Sequence, residues 1–250
     1  YAHIDLYKAM NEREIAEYIL TGIGRLLGQI ENTPAKLMKL ATNFFASFQL
    51  KIGFSEYHVS VELTRKSKKP AQLILQTLEH LDKLVEKHSP SKGSVLFLDE
   101  FQVLSEITKN RAIEATIREA MQKAKHLKYV FAGSNRHIIE RMFNDDSRPF
   151  FNSCDQIVLT RIGEVHYTKQ INKIATLKWG DRLSPATLDA IFDVTECHPY
   201  YINKLCATLI RGNSLPNEAL VEETWCHYRD ENISRVQQEI SLLKLNPRRL

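Results

Sequence analysis

The chain has 250 residues, 43% of them hydrophobic and 26% charged, with a formal net charge of +4. That composition belongs to a globular protein large enough for one big domain or two modest ones, and it excludes fibrous and intrinsically disordered chains. No run of about 18 apolar residues offers a transmembrane helix, and no signal-peptide pattern is visible in the first residues.

The four cysteines, Cys154, Cys197, Cys206 and Cys226, form no Cys-x-x-Cys pair. They read as free thiols of a reducing cytoplasm rather than as a disulfide or zinc framework. The positive charge is spread along the chain, so it permits nucleic-acid contact without arguing for it. The densest patch, Arg65-Lys66-Ser67-Lys68-Lys69, reads as a solvated loop or, more sharply, as a loop touching phosphates.

Tyr1 to Tyr7 read as a short strand. Asn11 then caps a helix, with Glu14 completing a capping-box pattern, and Ile15, Tyr18, Ile19, Ile23, Leu26 and Leu27 share one face of it. A second helix carries Leu37, Leu40, Phe44, Phe45 and Phe48. The alternation over residues 58–63 suggests an edge strand or hairpin arm. After Pro70 a periodic helix uses Leu73, Leu75, Leu78, Leu81, Leu84 and Val85, and Pro90 and Gly93 stop it.

The run Val95-Leu96-Phe97-Leu98 reads as a strand buried on both faces. A helix over residues 110–125 follows, then a second such strand at Tyr129-Val130-Phe131-Ala132 and a third at Ile157-Val158-Leu159. Strands alternating with helices imply a mostly parallel sheet with helices on both faces. From about Thr168 only helices follow, over residues 169–177, 184–195, 200–210 and 217–243. The expected boundary lies near Gly163, with an α/β core over residues 1–162 and an all-helical part over residues 163–250.

The sharpest chemical signal is the strand that ends in Asp99-Glu100. Two carboxylates there stand at the C-terminal edge of the sheet, where open α/β sheets bind ligands. In a P-loop ATPase the first acid holds Mg²⁺ and the second orients the water that attacks the γ-phosphate. The alternative for such acids is plain helix capping. The next strand ends in Gly133-Ser134-Asn135: Gly133 permits close backbone approach, and Ser134 or Asn135 can hydrogen-bond a water or a phosphate oxygen. Here the alternative is that Asn135 caps the following helix.

These segments resemble the archaeal- and prokaryotic-type ATPases related to the STAND and ORC/Cdc6-like branches of AAA+. The resemblance is carried by Asp99-Glu100-Phe101-Gln102, the strand ending in Gly133-Ser134, Arg148-Pro149-Phe150-Phe151 and Cys197-His198-Pro199-Tyr200-Tyr201, in that order over essentially the whole chain. It implies an α/β parallel-sheet P-loop NTPase core with a C-terminal all-helical lid, and ATP and Mg²⁺ as ligands. Asp99 would hold the metal and Glu100 activate water, as a Walker B pair, with Asn135 or Ser134 beside it as sensor 1. Arg148 would read the γ-phosphate or form a structural ion pair with Asp145 or Asp146, and Pro199, next to His198, would line the adenine pocket.

Two departures stand out. Cys197 occupies the lid position where the family has Gly, and Cys takes positive φ less easily, so a different turn is expected there. No Gly-x-x-x-x-Gly-Lys-(Ser/Thr) occurs anywhere, and Gly22-x-Gly24-Arg25 lies inside an amphipathic helix, so the phosphate cradle is missing. The expectation is a chain clipped at both ends: the phosphate-binding loop lies upstream, and residues 239–250 begin a winged helix. The functional expectation is a nucleotide-dependent switch or motor, with a catalytically inactive scaffold for protein or DNA partners as the alternative. A homo-oligomer is left open.

Overall fold

The computed structural model describes every residue except 32, 56–57, 66, 89–92, 109 and 246–250. Pro90, the expected helix stop, and Lys66 of the basic patch lie outside the described residues. The chain divides into two compact units, Tyr1–Gln156 and Ile157–Leu250.

The first unit is built on a three-stranded parallel sheet in the order β1 (Ala2–Asp5), β4 (Ser94–Asp99), β5 (Leu127–Phe131). In register, Asp5 stands opposite Asp99 and Leu98 opposite Phe131. Between the strands run α1 (Glu12–Ile30), α2 (Pro34–Phe45) with a 3₁₀ turn at Ala46–Phe48, and an antiparallel hairpin of β2 (Leu50–Ser55) and β3 (His58–Leu63). Helices α3 (Pro70–His88), α4 (Val103–Ile107), α5 (Ala112–Lys123) and α6 (Arg136–Asn144) complete the unit.

Local sequence accounts for these elements. Asn11 caps α1 by accepting a hydrogen bond from the Glu14 N–H at 3.0 Å, and Glu14 returns a carboxylate oxygen to the Met10 N–H at 2.8 Å. Gly22 and Gly24 belong to the buried face of α1: a Cβ on Gly22 would lie 2.7 Å from Ile4 Cδ1, and one on Gly24 2.8 Å from Val59 Cβ. They let the helix lie close on β1 and β3, which is a packing role. Asp82 on α3 accepts the N–H groups of Lys125, His126 and Leu127 at 3.1, 2.9 and 2.7 Å, which fixes where β5 begins.

Helices α1, α3 and α5 pack side by side, with α1 against β1 and α3 and α5 against β5. Under them lie Ala2, Ile4, Leu96, Leu98 and Leu127, all buried. The expectation of strands buried on both faces is corrected here. Side chains alternate along a strand, and the opposite face carries His3, Val95, Phe97 and Val130, none of them buried, Val130 being 42% exposed.

The second unit is helical, with α7 (Glu164–Trp179), α8 (Pro185–Thr195), α9 (Pro199–Leu209) and α10 (Glu218–Leu245) around its own core of Ile171, Ile191, Phe192, Leu205 and Val221. One expectation fails in it. Ile157-Val158-Leu159 forms no strand: Ile157 is 86% and Leu159 90% exposed, because an apolar run becomes a strand only where a ladder partner accepts it. Residues 239–245, expected to belong to a helix leading into a winged helix, are the last part of α10. No helix among the described residues is long and apolar enough to cross a membrane.

Candidate functional site

Three strand ends lie side by side at the C-terminal edge of the sheet. The Leu6 N–H donates to the Asp99 carbonyl at 3.2 Å, the Ala132 N–H to the Leu98 carbonyl at 2.9 Å and the Phe101 N–H to the Ala132 carbonyl at 2.9 Å. Chain exits from β1, β4 and β5 are thus stitched together just beyond the last ladder bonds. Glu100 adopts φ 51°, left-handed backbone that a non-glycine residue rarely takes and that gathers at functional sites. The turn is anchored by Phe101, fully buried, whose ring meets Phe131 at 4.4 Å and Phe150 at 5.3 Å between centroids.

Asp99 Oδ1 accepts the Glu100 N–H at 3.0 Å, and Oδ2 lies 3.0 Å from His3 Nε2. His3 is about half exposed, so that partner is easily displaced. Among the described residues no group of three or more His, Cys, Asp or Glu side chains is gathered as a metal site. The donor set still fits Mg²⁺ as nucleotide enzymes hold it, by one or two carboxylates with phosphates and water supplying the other oxygens.

Glu100 Oε2 accepts the Ser134 hydroxyl at 2.9 Å and is bonded by Gln102 Nε2, so a carboxylate from β4 and a hydroxyl from β5 are joined. Asn135 is spent differently: it is the N-cap of α6, and its Oδ1 accepts the Ile138 N–H at 3.3 Å. The sequence by itself assigns no role to Gln102 or His3. The only trace of Gln102 was its place directly after Asp99-Glu100-Phe101.

Arg148 lies in the interior, 8% exposed, with Nη2 3.4 Å from Glu114 Oε1 and bonded to Ser105 Oγ. Its partner is Glu114 on α5, not Asp145 or Asp146; Asp145 instead accepts from Ser147. Glu114 is fully buried, and burial pushes its carboxyl above the ordinary value, against the opposing pull of Arg148 and Arg111. Phe150, two residues after Arg148, closes on Phe101. Two of the three segments that carry the resemblance in the first unit, those of Phe101 and Phe150, therefore meet in its core.

His198 and Pro199 lie in the second unit. His198 caps α9, its Nδ1 accepting the Tyr200 N–H at 3.2 Å, and Pro199 is the first helical residue. Cys197 takes φ 53° after Glu196 at φ 47°, so a left-handed turn forms there without glycine.

No family model matches the chain, and no curated protein does. A solved structure does: the Walker-type ATPase PABY2304 of Pyrococcus abyssi superposes with a TM-score of 0.60 at 14% identity, over 99% of this chain and 65% of the other. The fold is that of a P-loop ATPase. The chain spans about two-thirds of the length of that neighbour.

Proposed function

We propose that the chain is the body of a P-loop ATPase of the AAA+/STAND kind, a nucleotide-dependent switch or remodelling motor. The observation that carries this reading is the juxtaposition of Asp99, Glu100 and Ser134 over adjoining strand ends in a P-loop ATPase fold. Asp99 would hold Mg²⁺, which screens the phosphate charge when bound. Glu100 would take a proton from the attacking water while that water's oxygen bonds to the γ-phosphorus and ADP leaves with the electron pair. Ser134 suits the sensor position better than Asn135, whose side-chain oxygen is used by the helix cap. Arg148 suits a structural pairing better than phosphate reading, being buried against Glu114. His198 and Pro199 are proposed adenine contacts from the resemblance of their segment.

The absent phosphate loop has a place to go. The outer edge of β5 has no partner strand among the described residues, and the sheet face bearing Val95, Phe97 and Val130 is only partly covered by them, whereas parallel sheets are normally covered on both faces. A strand, loop and helix docking there would bring backbone N–H groups beside Ser134 and Glu100. We propose that this unit is supplied by residues outside these 250.

Mg-ATP binding and hydrolysis by the full natural chain test the reading. Glu100→Gln is expected to keep nucleotide affinity and lose turnover by about 10²-fold or more, and Asp99→Ala to abolish the Mg²⁺ dependence of binding. The 250 residues alone are expected to bind Mg-ATP weakly or not at all. A full chain that ignores Mg-ATP would instead favour a scaffold for protein or DNA partners. Unchanged hydrolysis in Glu100→Gln would remove Glu100 from its role.

A further inference from the structure

The turn after β4 points one buried side chain back at Glu100. Gln102 is 5% exposed; its Nε2 bonds Glu100 Oε2 and lies 3.4 Å from Ser134 Oγ. Ser134 Oγ donates to the same Oε2 at 2.9 Å. One carboxylate oxygen therefore takes two donors, one from each strand end, while Oε1 has no hydrogen-bond partner among the described residues.

Shape fixes the far end of the amide. Gln102 Oε1 is buried without a hydrogen-bond partner among the described residues, and it fills the space that a Cβ on Gly133 would need. Leaving a buried amide oxygen unpaired is costly. The orientation is thus set by what Nε2 holds, and Gly133 is the residue that makes room for it.

Building on the ATPase reading, we propose that Gln102 is the positioning residue for Glu100. It pins Oε2 against Ser134 and leaves Oε1 as the oxygen that receives the proton of the attacking water. A glutamate at a sheet edge otherwise rotates among several rotamers, and a misplacement of 1 Å in a reacting group can lower a rate by about 10²-fold. Gln102 acts through Glu100, to which its Nε2 is bonded.

Two measurements decide this. The first is crystallographic, on wild type and on Gln102→Leu, which keeps the bulk and removes the donor. The Glu100 carboxylate is expected to leave Ser134 while Phe101 and the main chain stay in place; a carboxylate that keeps its position overturns the proposal, whatever the activity. The second is steady-state hydrolysis by the full natural chain. Gln102→Leu is expected to lower kcat about 10- to 100-fold with KM for Mg-ATP within about twofold, and equal kcat in variant and wild type overturns the proposal. Gln102→Glu sets a second carboxylate against the first, and a shared proton restores the donor, so its rate is expected to rise as pH falls where wild type does not. Wild-type protein without Mg-ATP binding or turnover sinks the ATPase reading, and the crystal structures still decide whether Gln102 positions Glu100.

Discussion

Glu114 and Arg148 make the most consequential buried contact outside the candidate site, because neither is fully satisfied. Both Glu114 oxygens and Arg148 Nε lack hydrogen-bond partners among the described residues, and the ion pair spans 3.4 Å. Burial raises the Glu114 carboxyl above its ordinary 4.5. A raised native pKa means that the folded state holds this proton more tightly than the unfolded chain. The resulting stability is fully present below the unfolded value and is lost as pH rises through the native one. Denaturant midpoints of wild type and Glu114→Gln, measured from about pH 4 to pH 8 across this window, should diverge in favour of the variant as pH rises; parallel curves would mean an unshifted carboxyl. Arg148→Met strands Glu114 and is expected to cost about 3–5 kcal/mol near neutrality. A variant of unchanged stability but weakened Mg-ATP affinity would return Arg148 to phosphate reading.

Among the elements, β5 shows how a site is placed from a distance. It carries Ser134 just beyond its end, yet its start is fixed by Asp82, whose carboxylate takes three successive N–H groups. Asp82→Ala leaves those donors unpaired and is expected to cost about 2–3 kcal/mol, with Asp82→Asn costing less; a loss below about 0.5 kcal/mol in urea titration would show that water replaces the carboxylate. Elements of this kind were legible where pattern and partner agreed. The heptad-like leucines of α3 and the cap of α1 announced themselves, and Asp99-Glu100 stood out as acids closing an apolar strand. Ile157-Val158-Leu159 has the same apolar character but no ladder to join. His3 and Glu114 are silent because a polar contact between residues far apart in sequence leaves no periodic trace, and Gln102 shows only as the last residue of the Asp99-Glu100-Phe101-Gln102 segment. Phe150 and Arg148 were noticed through resemblance alone, and their packing against Phe101 and Glu114 supplies the physical reason for that segment.

At the scale of the whole molecule, each unit has its own core: one centred on α1, α3, β4 and the phenylalanines around Phe101, the other on α8, α9 and α10. Both tryptophans of the chain, Trp179 and Trp225, pack against the second core. Tryptophan fluorescence therefore follows the helical unit alone, whereas far-UV circular dichroism follows both. Separate cores favour separate transitions, so the dichroism melt is expected to show a component that fluorescence does not see. Asp82→Ala should move that component and leave the fluorescence midpoint where it was, because Asp82 acts within the first unit. Coincident transitions, shifted together by Asp82→Ala, would instead mean that the two units unfold as one cooperative block. In that case a change in the second unit could reach Glu100 through stability itself, and the variants at Gln102 would have to be compared at matched stability before any loss of kcat is assigned to positioning.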